Sequence, residues 1–312
     1  MDDQFAAGRD FIWRQGRLLE RRLFATCFEG APAKGVVDAV TAYRNDDGGF
    51  GHGLEPDIRC PASLPVYVDV AMQALATVEA VDAVDAVDAV DAVNAANAVD
   101  RGLVLAACEY LAKVAAAAGR NGAVAPASPV IEGYPRAVHW TDWTYEPSLN
   151  PTAGLAGHLK QLGVEHPWVD EATAYCWAQL DAPELPTDAH ALSAVFVFLE
   201  QAPAGERTSL AAARVADSLA GASSWRADPD DPDYGLTPLT IAPLAGSRWR
   251  QLFPDAVLAA HLDRLQRDQQ PDGGWPITWE PPSEAAVLEW RGIVTLAALR
   301  TLVSYGRLTA GR

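Results

Sequence analysis

Three glutamates each stand directly before a proline, just ahead of a predicted helix: Glu55, Glu146 and Glu280. Proline favours the first helical turn and restricts the residue before it to extended backbone, so each carboxylate is fixed beside a helix N-terminus. A carboxylate there gains about 0.3–1 kcal/mol from the helix dipole, so simple capping is one interpretation. The other is catalysis by carboxylates grouped around the mouth of one cavity.

A second group of polar side chains surrounds the first of these glutamates. His52 lies between two glycines, with Glu55 and Asp57 close behind it. A loop histidine beside carboxylates suits a general acid or a diphosphate contact, and a hydrogen-bonded turn histidine is the alternative. Four other histidines stand singly on predicted helices or their edges, without metal-ligand spacing, and we assign them no role: His158, His166, His190 and His261.

Aromatic residues are concentrated in or beside the same loops. Six of them are candidate substrate-binding residues: Phe50, Trp140, Trp143, Tyr145, Trp275 and Trp279. Indole faces stabilise a carbocation by cation–π attraction, and they equally stack on sugar rings or anchor loops on helix ends. Four further tryptophans are predicted to be ordinary core: Trp13, Trp168, Trp177 and Trp290.

Helical periodicity dominates the rest of the chain. Ten segments carry apolar residues at helical spacing: about 4–26, 34–44, 65–80, 100–118, 151–163, 168–180, 187–201, 206–220, 254–268 and 284–304. The breaks between them are rich in Gly, Pro, Asp and Asn, and no alternating strand pattern competes. The sequence therefore predicts one all-α domain over residues 1–312, with a low-complexity insertion at 79–99 that lengthens a helix end or a loop.

Two loops repeat each other. Residues 47–50 read Asp-Gly-Gly-Phe and residues 272–275 read Asp-Gly-Gly-Trp. In both copies a Glu-Pro step follows seven residues after the first glycine, and an Ala-Leu pair follows in the next predicted helix. Three matches in register indicate a duplicated structural unit, in which paired glycines allow a turn with positive φ and the ring anchors the loop.

Composition limits the partners and the compartment. The formal net charge of −17 argues against nucleic acid and anionic membrane surfaces, because both are bound through Lys and Arg. No apolar run reaches the roughly 20 residues that cross a bilayer, and the N-terminus is acidic rather than basic. We therefore expect a cytoplasmic protein without an integral membrane span, with four free cysteines. Oligomeric state is not indicated.

The glycine turns carry a family resemblance. The Gly-Gly-Phe-Gly loop at 48–51, followed by Pro65 and Tyr67, resembles the repeat of protein prenyltransferase β subunits. Residues 269–275, Gln-Gln-Pro-Asp-Gly-Gly-Trp, are similar to the QW motif of squalene cyclases and other terpenoid cyclases. This resemblance implies an (α/α) toroid, a barrel of helical hairpins with long irregular loops. It also implies an isoprenoid or similar apolar small molecule as substrate in a central cavity.

Two departures from the family matter for chemistry. Leu64 and Val66 stand where the zinc-dependent prenyltransferases have an aspartate and a cysteine, so we expect no metal site and no cofactor. Residues 228–231, Asp-Pro-Asp-Asp, match the Asp-x-Asp-Asp acid of class II terpene cyclases and make Asp230 a candidate catalytic acid. Residues 226–234 contain two prolines and four aspartates, which are typical of a solvated surface loop.

Three functions follow from these observations. The first is a terpene cyclase-like enzyme, an isomerase or lyase that acts on an isoprenoid without zinc. The second is a carbohydrate-active toroid, a polysaccharide lyase or glycoside hydrolase, that uses paired glutamates. The third is a non-catalytic toroid that binds a lipid or a protein.

Overall fold

A computed structural model describes residues 2–85, 99–141 and 143–310, so most of the predicted insertion at 79–99 lies outside the described residues. The predicted all-α class is confirmed. Twelve α-helices make up the described part, which has isolated β-bridges but no β-strand. None of the helices found there is long and apolar enough to cross a membrane.

The helices follow one another through the chain with short 3₁₀ turns between some of them. They are α1 Asp3–Gln15, α2 Leu18–Glu29, α3 Lys34–Thr41, α4 Pro65–Asp85, α5 Arg101–Ala117, α6 Leu149–Gln161, α7 Pro167–Asp181, α8 Ala189–Glu200, α9 Glu206–Leu219, α10 Pro238–Ile241, α11 Asp255–Arg267 and α12 Glu284–Ser304. The 3₁₀ turns are Pro129–Gly133, Val138–Trp140 and Arg248–Leu252.

Nine of the ten predicted segments correspond to single helices, and the tenth is divided. The segment predicted at 4–26 forms α1 and α2, because Gly16 and Arg17 both have extended backbone, with ψ of 150° and 168°. Gly16 also faces Gly292 of α12 at close range, and an added Cβ on Gly292 would lie 3.2 Å from the Gly16 Cα. The short α10 was not predicted, since four residues carry too little periodicity.

The even-numbered helices contact one another in chain order, from α2 through α4, α6 and α8 to α10, and α12 contacts α2. Most odd-numbered helices pack on the even-numbered helix before or after them in the chain. Thus α3 contacts both α2 and α4, α11 contacts α10 and α12, and α1 contacts α2 and α12. The N-terminal and C-terminal hairpins are therefore neighbours. Whether the helices close a toroid stays a prediction at this point.

The two glycine turns have the same backbone geometry. In the first, the Asn45 N–H donates to Gly49 O, and the Gly48 N–H donates to Asn45 O. In the second, Gln270 and Gly273 make the corresponding bonds, to Gly274 O and Gln270 O. Each turn is also capped by its aspartate, Asp47 or Asp272, which accepts the N–H two residues later at 2.9 and 3.1 Å.

Each turn rests on the backbone of a neighbouring helix. Gly48 has φ +90° and lies against the Ala106 carbonyl of α5, and Gly273 has φ +93° and lies against the Ala7 carbonyl of α1. A Cβ at either position would collide with that carbonyl oxygen and would also strain the backbone. Because α5 follows α4 and α1 packs on α12, the two copies occupy corresponding places in their hairpins.

We predict that Gly48→Ala and Gly273→Ala each lower the free energy of unfolding by at least roughly 1–3 kcal/mol, from backbone strain alone. Urea denaturation followed by circular dichroism measures this change. The control is Gly221→Ala, because Gly221 has no positive φ and nothing within 4 Å of an added Cβ. Equal stabilities of all three variants would contradict the proposed role of the turns.

Candidate functional site

The carboxyl group of Asp57 joins the two repeats. Asp57 is 3% exposed, and its Oδ1 accepts hydrogen bonds from two indole N–H groups, from Trp290 at 2.7 Å and from Trp279 at 3.4 Å. Its Oδ2 lies 3.4 Å from His139 Nε2. Asp57 follows the first glycine turn, whereas both tryptophans follow the second, so one buried carboxyl ties residues more than 200 positions apart.

Backbone pairing brings His139 to this carboxyl. Ile58 forms an antiparallel bridge with Arg136, and the Ala137 N–H donates to Asp57 O at 2.8 Å. The Arg59 N–H donates to Pro135 O at 2.9 Å. This short ladder holds the loop at 135–140 beside the loop at 57–59, and the 3₁₀ turn Val138–Trp140 then directs His139 to Oδ2.

Burial sets the protonation of this pair. Burial raises the pKa of Asp57, although the two indole hydrogen bonds and the nearby His139 oppose the rise. Burial also lowers the pKa of His139, and the Asp57 charge only partly offsets this effect. Both shifts favour the neutral forms, and the two groups titrate as a pair. Asp57 is thus a carboxyl that holds its proton more firmly than a solvated aspartate does.

Aromatic rings surround the Asp57–His139 pair. Trp279 and Trp290 meet edge to face with centroids 5.0 Å apart, and Tyr234 meets Trp279 in the same way at 5.4 Å. On the His139 side, Trp140 and Trp143 lie 4.8 Å apart. The indole N–H of Trp140 is buried and has no hydrogen-bond partner within the described part of the chain. Aromatic rings therefore lie on both sides of the pair, with Trp279 and Trp290 at Asp57 and Trp140 at His139.

A hydrogen-bonded chain of Tyr234, His190 and Asp188 lies beside the Asp57–His139 pair. The Tyr234 hydroxyl is 2.7 Å from His190 Nε2, and His190 Nδ1 is 3.1 Å from Asp188 Oδ1. Burial raises the pKa of Tyr234 to about 12, and Asp188, Asp57 and Glu55 add to the rise. Burial alone would raise the pKa of Asp188, but the hydrogen bond and charge of His190 outweigh it and lower that pKa.

Local structure fixes this tyrosine–histidine–aspartate chain. Asp188 is the N-cap of α8 and accepts the Ala191 N–H at 3.1 Å, which places His190 in the first turn of that helix. Parallel bridges from Asp188 to Ser223 and from Trp225 to Leu236 align the loop that carries Tyr234. The Asp57–His139 pair and the Tyr234–His190–Asp188 chain thus lie where loops lead into even-numbered helices. Asp57 precedes α4, Asp188 begins α8, Tyr234 precedes α10, and Trp279, which binds Asp57, precedes α12.

Glu55 is the one member of the predicted glutamate trio that is buried. Its Oε2 accepts the Asp57 N–H at 3.1 Å, and the Ile58 N–H donates to the Glu55 main-chain carbonyl at 3.4 Å. Burial, assisted by the Asp57 charge, raises the pKa of Glu55 well above its ordinary value. Glu55 thus shapes the turn that presents Asp57, and it does not cap a helix, because α4 begins only at Pro65.

The other two glutamates are exposed. Glu146 and Glu280 lie on the loops that lead into α6 and α12. Beside Glu146, Tyr145 has φ 54° and donates its hydroxyl proton to Glu132 at 3.2 Å. No feature of the structure joins the three glutamates in one group, and their shared role stays a prediction.

The remaining predicted site residues have other surroundings. His52 is exposed, and its Nε2 lies 2.9 Å from Asn45 Oδ1. Asp230 has a 72% exposed side chain and forms ion pairs with Arg264 and Arg267 of α11, as a solvated acidic loop would. Phe50 and Trp275 are buried below the glycine turns, where the Trp275 indole donates to Leu265 O at 2.7 Å.

Four residues of this region were candidates from the sequence: Asp57, Trp140, Trp143 and Trp279. No function was assigned to His190 or Trp290. Tyr234, Asp188 and His139 were not considered. Trp290 was predicted to be core; it is partly buried, and its indole N–H donates to Asp57. Trp13, also predicted to be core, is 39% exposed. The Asp-x-His spacing at 188–190, at a predicted helix start, was the available signal for the Tyr234–His190–Asp188 chain.

No protein-family model matches this chain, and no curated protein matches it significantly. Among the described residues, no group of three or more His, Cys, Asp or Glu side chains is arranged to hold a metal ion.

We predict that Asp57→Asn changes stability in a pH-dependent way. Because the folded-state pKa of Asp57 is raised, its contribution to stability is complete below its unfolded pKa, about 3.9, and is lost as pH rises through the folded value. Asparagine keeps the oxygen that accepts the indole N–H groups and cannot ionise. The melting temperature of the variant relative to wild type should therefore increase between pH 4 and pH 8.

Differential scanning calorimetry across that range measures this difference. Asp38→Asn is the control, because Asp38 is an exposed carboxylate on α3 that pairs only with Lys34 at the surface, where such pairs contribute at most about 1 kcal/mol. A difference for Asp57→Asn that falls with rising pH would mean that the ionised carboxylate stabilises the fold.

Proposed function

We propose that this protein is an enzyme that starts its reaction by protonating an apolar isoprenoid, with Asp57 as the general acid. The observation that carries the proposal is the Asp57 carboxyl itself. Two indole donors occupy Oδ1, burial raises the pKa, and Oδ2 is left facing His139. An acid that must protonate an alkene needs a carboxyl kept neutral at working pH, and burial is the means of keeping it so.

The proposed step transfers the proton on Asp57 Oδ2 to a terminal alkene carbon. The π electrons form the new C–H bond, the adjacent carbon becomes a tertiary cation, and Asp57 is left as a carboxylate stabilised by the Trp290 and Trp279 N–H groups. Attack by a second alkene closes a ring, and a base then removes one proton. His139, whose side chain is 48% exposed, returns a proton from solvent to Asp57, so the reaction is a net isomerisation.

The aromatic residues suit the charge that develops. A carbocation near Trp279, Trp290 and Tyr234 gains cation–π attraction of about 0.5–2 kcal/mol for each well-placed ring. Rings also resist attack by the cation better than carboxylates or hydroxyl groups do. The resemblance of the two glycine turns to terpenoid cyclase and prenyltransferase repeats supports the same substrate class.

The toroid is part of this proposal. The contacts from α2 through α4, α6 and α8 to α10, with α12 against α2, fit six inner helices, each paired with an odd-numbered outer helix. In such a ring, the loops that precede the inner helices meet at one end. That arrangement accounts for the convergence of Asp57, His139, His190, Tyr234 and Trp279.

A second candidate function has one specific observation in its favour. The Tyr234–His190–Asp188 chain is a proton relay of the kind that removes a proton next to a carboxylate, as eliminative cleavage of an acidic polysaccharide requires. Tryptophan faces would bind the sugar rings. The exposed Glu146 and Glu280 do not add to this alternative, which would work through the tyrosine and not through paired glutamates.

The test uses squalene and geranylgeraniol in detergent micelles in D₂O, with gas chromatography–mass spectrometry of the extract. We expect cyclic products that carry deuterium at the protonated carbon. Asp57→Asn should lower the rate at least about 100-fold, which is the lower range of a general acid's contribution. Asp38→Asn should keep the wild-type rate.

A parallel assay offers polyuronates and follows the absorbance of the unsaturated product. Cleavage that is lost in Tyr234→Phe but retained in Asp57→Asn would overturn the isoprenoid proposal in favour of the second candidate. Wild-type turnover of the isoprenoids by Asp57→Asn would exclude Asp57 as the acid. No turnover of any of these substrates would favour the non-catalytic binding function.

A further inference from the structure

A cavity of about 650 Å³ lies between the C-terminal halves of α4, α6, α8 and α12, and the segment 240–249 borders it. Glu200 lies ten residues after His190 on α8, and Arg300 lies ten residues after Trp290 on α12. At 1.5 Å per residue, the cavity is about 15 Å along these helices from the Asp57 site. Its volume is in the range of small-molecule sites, and it plays no part in the proton transfer proposed above.

One polar atom in the wall of this cavity lacks a partner. His158 of α6 is 9% exposed, and within the described residues its Nδ1 is buried without a hydrogen bond. Burial lowers the pKa of His158 to about 4, so the imidazole is neutral at pH 7. Buried polar atoms are nearly always hydrogen-bonded, so an exception in the wall of a cavity is a candidate contact for a bound molecule.

The cavity also holds two opposite charges that do not pair with each other. Arg300 and Glu200 both line it, and neither forms an ion pair within 4.0 Å in the described part of the structure. Burial raises the pKa of Glu200 despite the Arg248 charge. The Arg248 guanidinium is engaged elsewhere, with the carbonyls of Leu199, Glu200 and Ala202 and the face of Trp249.

The rest of the wall has an apolar side and a neutral polar side. Phe196, Leu244 and Trp249 form the first, and Gln73, Gln161 and Ser193 belong to the second. A simple anion is disfavoured by the net charge of −17 and by the carbonyl ends of α6, α8 and α12, and a simple cation is disfavoured by Arg300. A molecule that carries both charges avoids both penalties.

We propose that this cavity binds a small zwitterion with an apolar body, an amino acid or dipeptide, whose carboxylate meets Arg300 and whose ammonium meets Glu200. The ligand's polar groups complete the hydrogen bonding of His158 Nδ1, and its side chain lies against Phe196 and Trp249. This site is independent of the function proposed for Asp57.

Isothermal titration calorimetry with L-phenylalanine and L-phenylalanyl-L-leucine tests the proposal and distinguishes the two ligand sizes. 3-Phenylpropanoate lacks the ammonium and phenethylamine lacks the carboxylate. We expect at least one zwitterion to bind at least 10-fold more tightly than both analogues. Arg300→Gln and Glu200→Gln should each weaken that binding at least 10-fold, whereas Asp38→Asn should leave it unchanged.

A cavity-filling variant tests the same site if Arg300→Gln or Glu200→Gln fails to fold. Ala80 is exposed on α4 and lines the cavity, so Ala80→Trp should fill its rim and abolish binding while the melting temperature stays near wild type. The proposal is overturned if neither zwitterion binds, if an analogue binds as tightly as the zwitterions, or if binding survives in Ala80→Trp.

Discussion

The hydrogen bonds between Asp57 and the indoles of Trp279 and Trp290 connect the loop between α3 and α4 with α12 and the loop before it. Their geometry depends on the two glycine turns, because each turn fixes the start of the loop that carries one partner. Close by, Arg59 and Glu289 form an ion pair at 2.5 Å between the same two segments, and Arg17 of the first hairpin donates to Leu54 O at 2.8 Å. Several contacts therefore hold a buried carboxyl whose ionisation the surroundings disfavour, and the two indole hydrogen bonds offset part of the cost of burying it.

Much of the fold could be predicted from the sequence because its signals are local. Helical periodicity gave the long helices, and the Asp-Gly-Gly-aromatic repeat predicted two equivalent turns, down to the aspartate that caps each one. The break at Gly16 was missed, because a glycine within a periodic segment is compatible with a continuous helix. The closure of the helices into a ring depends on contacts between distant segments, and it stays a proposal.

The candidate site was only partly predictable for a physical reason. Asp57 and Trp279 stand near the repeated turns and could be selected by spacing. His139, His190 and Tyr234 come from loops with no shared motif, and only the backbone bridges at Ile58–Arg136 and Trp225–Leu236 bring them in. Asp230 shows that a motif can also mislead. Its motif matched the catalytic acid of class II terpene cyclases, but its side chain is 72% exposed and forms ion pairs with two arginines. A sequence motif specifies which residue types are present, whereas the burial of a carboxyl group in the folded chain shifts its pKa.

The most direct measurement of the central claim is the titration of Asp57 by ¹³C NMR of the side-chain carboxyl carbon, assigned by comparison with Asp57→Asn. The account predicts a pKa above the ordinary value of about 3.9, and a further rise in His139→Ala, because His139 opposes the effect of burial on Asp57. A pKa at or below the ordinary value in the wild-type protein would contradict the account, because Asp57 would then be a carboxylate at neutral pH with no proton to give.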